Sequence, residues 1–330
     1  MDLKSLWLDK STPSQGEWKG KVLICPLNWG LGHATRCVPI IKHLIANGCE
    51  VVVVADAYPL EFLQQQFPSL RYIELASYSI RYSKSNSQII AMALSLPRVL
   101  VGIVREHLWL KDLLKHEKFH YIISDNRFGM WHSEVHSIYI THQMLIKMPI
   151  GLKFLERLGW KLHQKIILQY NECWIPDLEH DGGLTHDLAH RFPLPVNASF
   201  IGILSRFDSL MDVVPDTTYQ ILILLSGVEP QRTLFEQAMI RRFSGASEKV
   251  LILTGQPSRH QTPRILEHIT LLPHLDDRSL AAVMLGAEKI ICRSGYSTIM
   301  DLHTLNCLQK AELIPTPGQT EQEYLAKIHN

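Results

Sequence analysis

The sequence predicts an α/β protein built from two doubly wound domains that face each other across a central cleft. The chain has 330 residues, which is long for one hydrophobic core and suits two domains of ordinary size. In each half, short apolar runs typical of buried parallel strands alternate with segments typical of helices. Several of these runs end in small or polar residues, and the carboxyl ends of parallel strands are where a ligand crevice lies. These three observations predict the fold class.

The N-terminal domain is predicted to cover residues 21–197, after a polar and loosely held extension at residues 1–20. Its predicted strands lie at 21–26, 51–56, 70–75, 121–125, 137–142 and 173–177, and its predicted helices at 35–47 and 59–66. The first strand, helix and second strand form a βαβ unit, which is almost always parallel and right-handed. We therefore expect a parallel sheet from the start of this domain.

The C-terminal domain repeats this alternation over residues 218–330, after a linker region at residues 198–217. Its predicted strands lie at 221–225, 249–255, 269–272 and 288–292, and its predicted helices at 233–243, 279–285, from about 297 onward and at 321–328. One short helix follows the apolar residues 313–315. A domain of this type normally continues further, so we expect this one to be truncated.

Composition indicates a soluble protein. The formal net charge is +1, which offers no electrostatic argument for nucleic-acid binding. None of the six cysteines forms a C-x-x-C pair, so we expect reduced thiols. The chain opens without a signal peptide and has no apolar run of the ~18 residues that a membrane span needs. We therefore expect a cytoplasmic protein.

Two apolar segments depart from the alternation. Residues 89–104 are strongly apolar but are interrupted by Pro97. Residues 144–169 mix apolar side chains with five lysines and arginines, and Glu156 is the one acidic residue among them. Such a basic amphipathic helix fits two hypotheses. In the first, its apolar face packs on the sheet and its basic face is exposed to solvent. In the second, it lies on an anionic membrane surface.

The stretch from Ile290 to Leu302 carries the strongest functional signal. An apolar strand runs into the turn Ser294–Gly295, and a helix follows from about Ser297. Glycine allows close approach of the backbone, and the free N–H groups and dipole at a helix start suit a phosphate. Asp301, about one turn further on, can accept hydrogen bonds from the vicinal hydroxyls of a sugar. The alternative is an ordinary capped helix with an acidic residue near its start.

A second candidate loop follows the first strand. Gly30 and Gly32 form half of a dinucleotide fingerprint with Asp56 at about the right distance, but Thr35 stands where a third glycine is expected. The loop also carries His33. A pKa near neutrality suits histidine to take a proton from a hydroxyl, although a surface histidine at a helix start explains it equally.

Further polar residues are predicted to lie around this loop. Asp125 and His142 each end a predicted strand, which places both at the crevice edge. Asp125 can orient His33 or replace it as the base, and Arg36 can hold an acidic group of an acceptor. The turn Ser226–Gly227 offers a second set of backbone donors for phosphate, and an ordinary turn explains it equally.

Several common motifs are absent from the sequence. It contains no D-x-D triplet, no H-E-x-x-H and no cluster of cysteine and histidine, so nothing in it calls for a metal. It also has neither a Walker loop nor a G-x-S-x-G elbow, which argues against a P-loop kinase and a serine hydrolase.

Taken together, these motifs resemble those of the GT-B glycosyltransferases, and are most similar to the glycosyltransferase family 28 group. That group includes the peptidoglycan enzyme that adds N-acetylglucosamine to a lipid-linked muramoyl-pentapeptide. The resemblance covers about residues 21–330 and is carried by Gly30–Arg36, Ser226–Gly227, Cys292–Thr298 with Asp301, and Pro317–Gln322. It implies two Rossmann-like domains, with a nucleotide-sugar donor, usually UDP-linked, in the second and an acceptor in the first.

The resemblance also implies roles for individual residues. Asp301 matches an acidic residue that binds the donor ribose, Ser294 and Gly295 match the phosphate-facing turn, and Gln322 matches a glutamine that contacts sugar hydroxyls. The other implied donor-side residues are Ser226, Gly227, Leu272, Arg293, Ser297, Thr298, Gln319 and Glu321. The implied acceptor-side residues are Gly30, Gly32, Arg36 and His142, with His33 matching the histidine of the glycine loop.

The activity implied is an in-line displacement at the anomeric carbon with inversion and without a metal or other cofactor. His33 or Asp125 would accept the proton of the acceptor hydroxyl, and the helix after Ser294–Gly295 would stabilise the diphosphate leaving group. Three alternatives stay open: a UDP-sugar 2-epimerase, a nicotinamide-dependent reductase, and a nucleotide-sugar-binding protein without catalysis. The basic segment 144–169 suggests a lipid-linked acceptor and a peripheral contact with the inner face of the membrane.

Overall fold

The computed structural model describes residues 18–77, 88–148, 150–227, 229–256 and 263–330. Within these residues the N-terminal sheet consists of β1 (Lys21–Pro26), β2 (Glu50–Ala55), β3 (Arg71–Glu74), β4 (Tyr121–Asp125), β5 (His136–Ile140), β6 (Glu172–Ile175) and β7 (Ala198–Phe200). All of these strands pair in parallel, in the order β3-β2-β1-β4-β5-β6-β7. The central strands are buried apolar runs, as expected when helices cover both faces of a parallel sheet.

The C-terminal sheet, within the same described part of the chain, consists of β8 (Ile221–Leu224), β9 (Val250–Leu253), β10 (Arg264–Leu266), β11 (Ile269–Leu272), β12 (Lys289–Arg293) and β13 (Ala311–Ile314). Its order is β10-β11-β9-β8-β12-β13, and β10 is its antiparallel strand. The prediction of two doubly wound α/β domains is confirmed.

The helices that cover these sheets follow the same alternation. In the N-terminal half they are α1 (Gly32–Ala46), α2 (Ala57–Gln66), α3 (Gln88–His116), α4 (Glu156–Ile167) and α5 (Asp187–His190). In the C-terminal half they are α6 (Gln231–Phe243), α7 (Asp277–Gly286), α8 (Tyr296–Thr304) and α9 (Thr320–His329). Two 3₁₀ helices, Ile150–Leu155 and Leu308–Lys310, add short connections.

The strand order reverses direction at one point in each sheet, and these two points position the site. In the first sheet the reversal lies between β1 and β4, whose last residues Pro26 and Asp125 are paired in register. In the second it lies between β8 and β12. Ligands of open α/β sheets bind outside the carboxyl ends of the strands at such a point. The loops that follow these four strands are therefore the expected walls of a site.

Two features of the structure fall across the predicted domain boundaries. Residues 198–200 form β7 and pair with β6, so the connection between the domains begins only after Phe200. Trp18, placed by the sequence in a loose extension, is buried, and its ring centroid lies 4.7 Å from that of Tyr121. The indole is buried because it packs in the same apolar cluster as Val22 and Trp174. The rest of the predicted extension lies outside the described residues.

The apolar segment at residues 89–104, in which Pro97 interrupts the apolar run, lies within one helix. The helix α3 runs through that proline to His116. Its later part keeps a helical period, and Leu110, Leu113 and Leu114 pack on the outer face of the sheet. This packing continues the helix well beyond the proline.

The basic segment at residues 144–169 is not one helix. Residues 150–155 form a 3₁₀ helix and α4 follows, consistent with a proline at position 149, which disfavours helix at the residue before it. The hypothesis that its apolar face packs on the sheet is wrong for three residues: Phe154, Leu158 and Leu162 are 75%, 54% and 54% exposed. The buried face of α4 is formed instead by Glu156, His163 and Ile167.

Candidate active site between the two domains

Three adjoining cavities run along the cleft between the sheets. A central cavity of about 180 Å³ shares residues with a cavity of about 100 Å³ on the C-terminal side and one of about 250 Å³ on the N-terminal side. The central cavity is lined by Gly30, Gly32, His33, Arg36, Asn126, His142, Ser226, Gly227, Gly295, Ser297, Thr298, Gln319, Glu321 and Gln322, among others. Most of the residues predicted for the site therefore converge on one space.

His33, Arg36 and Asp125 form the polar centre of the N-terminal wall. His33 and Arg36 lie one turn apart on α1, so both face the end of β4. Arg36 donates from Nε and Nη2 to the two carboxylate oxygens of Asp125, which is fully buried. His33 Nδ1 lies 2.8 Å from Asp125 Oδ1, and also 2.8 Å from Arg36 Nη2. Asp125 is thus placed to fix the orientation of the imidazole.

The electrostatics of this centre distinguish the roles of its members. Burial opposes ionisation of Asp125, but Arg36 and His33 outweigh it and lower the pKa of that carboxyl to about 2. Burial also lowers the pKa of His33, with Arg36 acting in the same direction and Asp125 opposing it. The imidazole is therefore neutral at pH 7. With Nδ1 donating to Asp125, its Nε2 keeps a lone pair that can accept a proton.

Two expectations about this centre need correction. Asp125 was an alternative base, but a buried, ion-paired carboxylate with a pKa of about 2 is a poor proton acceptor. Arg36 was expected to hold an acidic acceptor group, yet its side chain is 1% exposed and its donors reach Asp125 and His142. Asp125 and Arg36 therefore hold His33 in position through contacts inside the protein.

His142 connects the two domains. Its Nδ1 accepts from Arg36 Nη1 (3.0 Å), and its Nε2 lies 2.6 Å from Glu321 Oε1 of the C-terminal domain. Its ring stacks on Tyr296 with centroids 4.4 Å apart, and the Tyr296 hydroxyl donates to the carbonyl of Pro176 (2.8 Å). Burial acts to raise the pKa of Glu321, but His142 outweighs it and lowers that pKa. Glu321, predicted for donor binding, lines the cavity as one half of this interdomain pair.

The start of α8 forms the opposite wall. Gly295, Ser297 and Thr298 line the central cavity, and the first N–H groups of a helix have no intrahelical acceptor. Ser297 also donates from Oγ to the carbonyl of Gly32 (2.8 Å). A Cβ built on Gly32 would lie 3.0 Å from the Oγ of Ser297. The lack of a side chain at Gly32 therefore allows the two domains to pack closely, in addition to its place in the loop.

Two glycine loops face each other across the central cavity. Gly30 has a φ of +101° and Gly227 a φ of +98°, which other residues rarely adopt. A Cβ built on Gly30 would lie 4.0 Å from the Cα of Gly227. The predicted turn Ser226–Gly227 therefore borders the same space as the loop of His33.

Several residues predicted to bind the donor have internal partners instead. Ser294 is fully buried and donates to the backbone carbonyl of Gln322 (2.8 Å). Arg293 lies over the ring of Phe235 at 4.0 Å and donates to the carbonyl of Pro315 (2.8 Å). Both side chains therefore hold the turn through hydrogen bonds within the protein.

Gln322 and Leu272 need similar corrections. Gln322 lines the central cavity, but its amide oxygen accepts from the backbone N–H of Thr316 (2.8 Å). The carbonyl of Leu272 accepts from the N–H of Thr254 (2.8 Å), and the residues lining the C-terminal cavity are the next two, Pro273 and His274. Leu272 itself lines none of the three cavities.

Asp301 lies in the C-terminal cavity, as predicted, but it has partners there. Ser205 donates from Oγ to its Oδ1 (2.6 Å), and Arg206 Nε lies 3.4 Å from its Oδ2. Burial raises the pKa of Asp301 to about 6, against the effect of Arg206 and Ser205. Both partners come from the connection between the domains. A sugar hydroxyl that bound Asp301 would compete with them.

Other lining residues were missed by sequence reasoning. They include Trp29, Leu31, Asn126, Gln143, Arg206 and His274. Of these, Trp29 and Leu31 stand inside the predicted loop, and Asn126 directly follows Asp125, so position alone could have found them. Asp56 accepts from the Ser77 hydroxyl (3.0 Å) and lines none of the three cavities.

In the described part of the chain, no group of three or more histidine, cysteine or acidic side chains is arranged to hold a metal ion. A search of those residues also found no helix with the length and apolar character to cross a bilayer.

Two Rossmann-like domains facing a cleft define the GT-B architecture, and solved structures match it over nearly the whole chain. The glycosyltransferase of kitacinnamycin is 13% identical, with 93% of this chain and 90% of that one covered and a TM-score of 0.55. Phytolacca americana UGT2, complexed with UDP-2-fluoro-glucose and pterostilbene, is 12% identical over 94% and 83% of the chains, with a TM-score of 0.52. A protein assigned as a UDP-N-acetylglucosamine 2-epimerase from Listeria monocytogenes is 12% identical over 94% and 88%, with a TM-score of 0.50. The chain has the GT-B fold.

No protein-family model matches the sequence, and no curated protein matches it.

Proposed function

We propose that this protein is a glycosyltransferase that moves a hexosyl or N-acetylhexosaminyl group from a nucleotide sugar to a hydroxyl acceptor. The donor is UDP-linked, with UDP-N-acetylglucosamine as the first candidate. One observation carries the proposal: the imidazole of His33, oriented by the buried Asp125, faces the N-terminus of α8 across a single cavity. That arrangement combines a proton acceptor with a seat for a diphosphate.

The nucleotide would occupy the C-terminal cavity. Its ribose hydroxyls would donate to Asp301, and its base would lie beside Pro273 and His274. The diphosphate would then reach the first N–H groups of α8 and the turn Ser226–Gly227, both of which border the central cavity. These donors and the helix dipole would stabilise the leaving group, so we propose that no metal is required.

The reaction is one in-line displacement. His33 Nε2 takes the proton of the acceptor hydroxyl as its oxygen bonds to the anomeric carbon. The bond from that carbon to the diphosphate oxygen breaks, and the nucleoside diphosphate leaves with the electron pair. Attack opposite the leaving group inverts the anomeric configuration. The proton on His33 passes to solvent after the product leaves.

Calorimetric titration with UDP tests the donor site. We expect UDP to bind wild-type protein and to bind Asp301→Ala about 10- to 100-fold more weakly, because a hydrogen bond to a charged group contributes about 1.5–3 kcal/mol. Asp112→Ala is the matched control, since that side chain is 67% exposed on α3 and its loss should leave UDP binding unchanged.

Titrations with GDP, dTDP and NADH separate the alternatives. NADH binding without a response to UDP would favour a nicotinamide-dependent reductase and contradict the proposal. Conversion of a UDP-sugar to its 2-epimer without an acceptor would identify an epimerase. UDP binding without turnover on any acceptor would identify a nucleotide-sugar-binding protein without catalysis.

The exposed face of α4 and the 3₁₀ helix before it supports a peripheral membrane contact. Phe154, Leu158 and Leu162 stand out at intervals of four residues, and Lys153, Arg157, Lys161 and Lys165 beside them are also exposed. Apolar side chains flanked by basic ones suit the interface of an anionic bilayer, where each basic residue contributes about 1 kcal/mol. We include contact with the inner face of the membrane in the proposal.

Vesicle sedimentation tests this contact. We expect the protein to pellet with vesicles of equal parts phosphatidylcholine and phosphatidylglycerol, less so with phosphatidylcholine alone or at high salt. Leu158→Glu combined with Leu162→Glu should leave it in the supernatant. Leu234→Glu, at a 48% exposed position on α6, is the control. Equal sedimentation of the double variant and wild type would contradict the contact.

A further inference from the structure

The N-terminal cavity lies beyond the space proposed for the nucleotide. It has a volume of about 250 Å³ and is lined by Leu27, Trp29, Asn126, Phe128, Thr141, Gln143, Ile146, His163, Gly318, Gln319, Thr320 and Glu321. It shares Trp29, Asn126, Gln143, Gln319 and Glu321 with the central cavity. Since the C-terminal cavity adjoins the central one from the other side, a ligand here would reach His33 from the side opposite the donor.

The walls of this cavity are largely apolar and aromatic. Trp29 and Phe128 supply rings, Leu27 and Ile146 supply aliphatic surface, and a few amides and hydroxyls lie among them. Apolar walls with a small number of polar groups are typical of sites for small organic ligands. Because an apolar cavity of about 150 Å³ holds benzene, this one is large enough for a body of about two fused rings.

The charges around the cavity are the more informative feature. Among the described residues that line it there is no lysine or arginine, and the titratable ones are His163 and Glu321. His163 is buried against the Tyr139 hydroxyl (3.2 Å), and burial lowers its pKa to about 4, so it is neutral at pH 7. Glu321 is ionised and paired with His142, which makes the nearest charge negative.

The neighbouring cations are engaged elsewhere. Arg36 is held by Asp125 and His142. Lys147 donates from Nζ to Asp187 (2.8 Å) and lies over the ring of Tyr324 at 4.2 Å. Burying an anion without a paired cation is costly, and like charge disfavours it further. The cavity therefore selects against an acceptor that carries a phosphate or carboxylate at this point.

We infer that the N-terminal cavity binds the apolar body of an uncharged hydroxyl compound and presents its hydroxyl to His33. The inference rests on the proposed transferase function and specifies its acceptor class. It departs from the lipid-linked acceptor that the basic segment 144–169 suggested. A flat aromatic alcohol and a short aliphatic alcohol share this chemistry, and binding measurements distinguish them.

Equilibrium dialysis with matched probes tests the inference. In the presence of saturating UDP, we expect 2-naphthol to bind at least 10-fold more tightly than 6-hydroxy-2-naphthoate, which differs by one carboxylate. The pair 1-octanol and 8-hydroxyoctanoate repeats the comparison for a flexible chain. The uncharged member that binds more tightly identifies the source as aromatic or aliphatic.

An inserted cation should reverse the preference. We expect Ile146→Lys to weaken 2-naphthol binding at least 5-fold and to strengthen 6-hydroxy-2-naphthoate binding, because the ammonium group would lie at this wall. Val196→Lys places the same charge at a 98% exposed position outside the cavity and should change neither. UDP titration of each variant reports whether the fold and the donor site are intact.

Each result has a clear meaning. Equal binding of charged and uncharged probes, or tighter binding of the charged ones, in a protein that binds UDP would overturn the inference. Failure of UDP to bind while the probes still discriminate would contradict the proposed donor and leave the apolar cavity assigned. Unchanged probe binding in Ile146→Lys would show that the probes lie elsewhere, which also overturns it.

Discussion

Replacing His33 with glutamine is expected to reduce transfer by about 10²- to 10⁴-fold while leaving UDP affinity unchanged. General-base catalysis by a positioned side chain contributes a factor of this size. Glutamine keeps a donor for Asp125, which is 2.8 Å from the imidazole, but it cannot accept a proton. The measurements are kcat with saturating donor and calorimetric titration with UDP.

The pH profile provides a second readout for the same residue. Burial lowers the pKa of His33 below the ordinary value of 6.5, so the neutral base is present above that lowered pKa and is lost as the pH falls through it. The transfer rate should therefore rise with pH through a midpoint below 6.5 and then level off. Asp125, with its pKa of about 2, stays ionised throughout.

His43→Gln is the matched control for this experiment. It makes the same substitution at the other end of α1, where His43 contacts Asn47 rather than the cleft. Full turnover in His33→Gln, or a profile that keeps its midpoint without the imidazole, would show that another group takes the proton.

The fold was largely predictable because its signals are local. The bounds of β1 and β4 match the predicted 21–26 and 121–125, since each is a short apolar run between polar or turn residues. The helix α1 begins at Gly32 rather than Thr35. A glycine lowers any sequence-based expectation of helix, but here a side chain would come within 3.0 Å of the Ser297 hydroxyl, so a glycine suits the position. A contact between the two domains leaves no signal in the local sequence pattern.

The sequence predicted where the site lies better than it predicted which residues contact each other there. The strand ends and glycine turns indicated where the cavities lie, because those features follow from parallel topology. Partners of buried polar groups come from distant parts of the chain: Ser205 reaches Asp301 across 96 positions, and Arg36 reaches Asp125 across 89. No spacing rule indicates such pairs, which explains why Ser294 and Arg293 were assigned to a ligand rather than to the protein interior.

Replacing Arg36 with methionine is expected to cost about 3–5 kcal/mol of folding free energy, because it leaves the fully buried carboxylate of Asp125 without its cation. The pKa of Asp125 should rise as the influence that lowers it is lost. Thermal unfolding of the purified variant measures the first effect. The double variant Arg36→Met with Asp125→Leu should recover part of the loss, since removing both charges of a buried pair is far less costly than removing one.

Arg71→Met distinguishes this internal role from an ordinary ion pair. Arg71 pairs with Glu117 but is 53% exposed, so its loss should cost less than about 1 kcal/mol. If Arg36 instead held an acidic acceptor, Arg36→Met would unfold like wild type and raise KM for that acceptor alone. A stable Arg36→Met would therefore contradict both the ion pair with Asp125 and the uncharged acceptor, because it would show that the guanidinium of the wild-type protein is available to an anion in the central cavity. Destabilisation with partial rescue by Asp125→Leu would support both, since a guanidinium committed to Asp125 cannot also bind an anion.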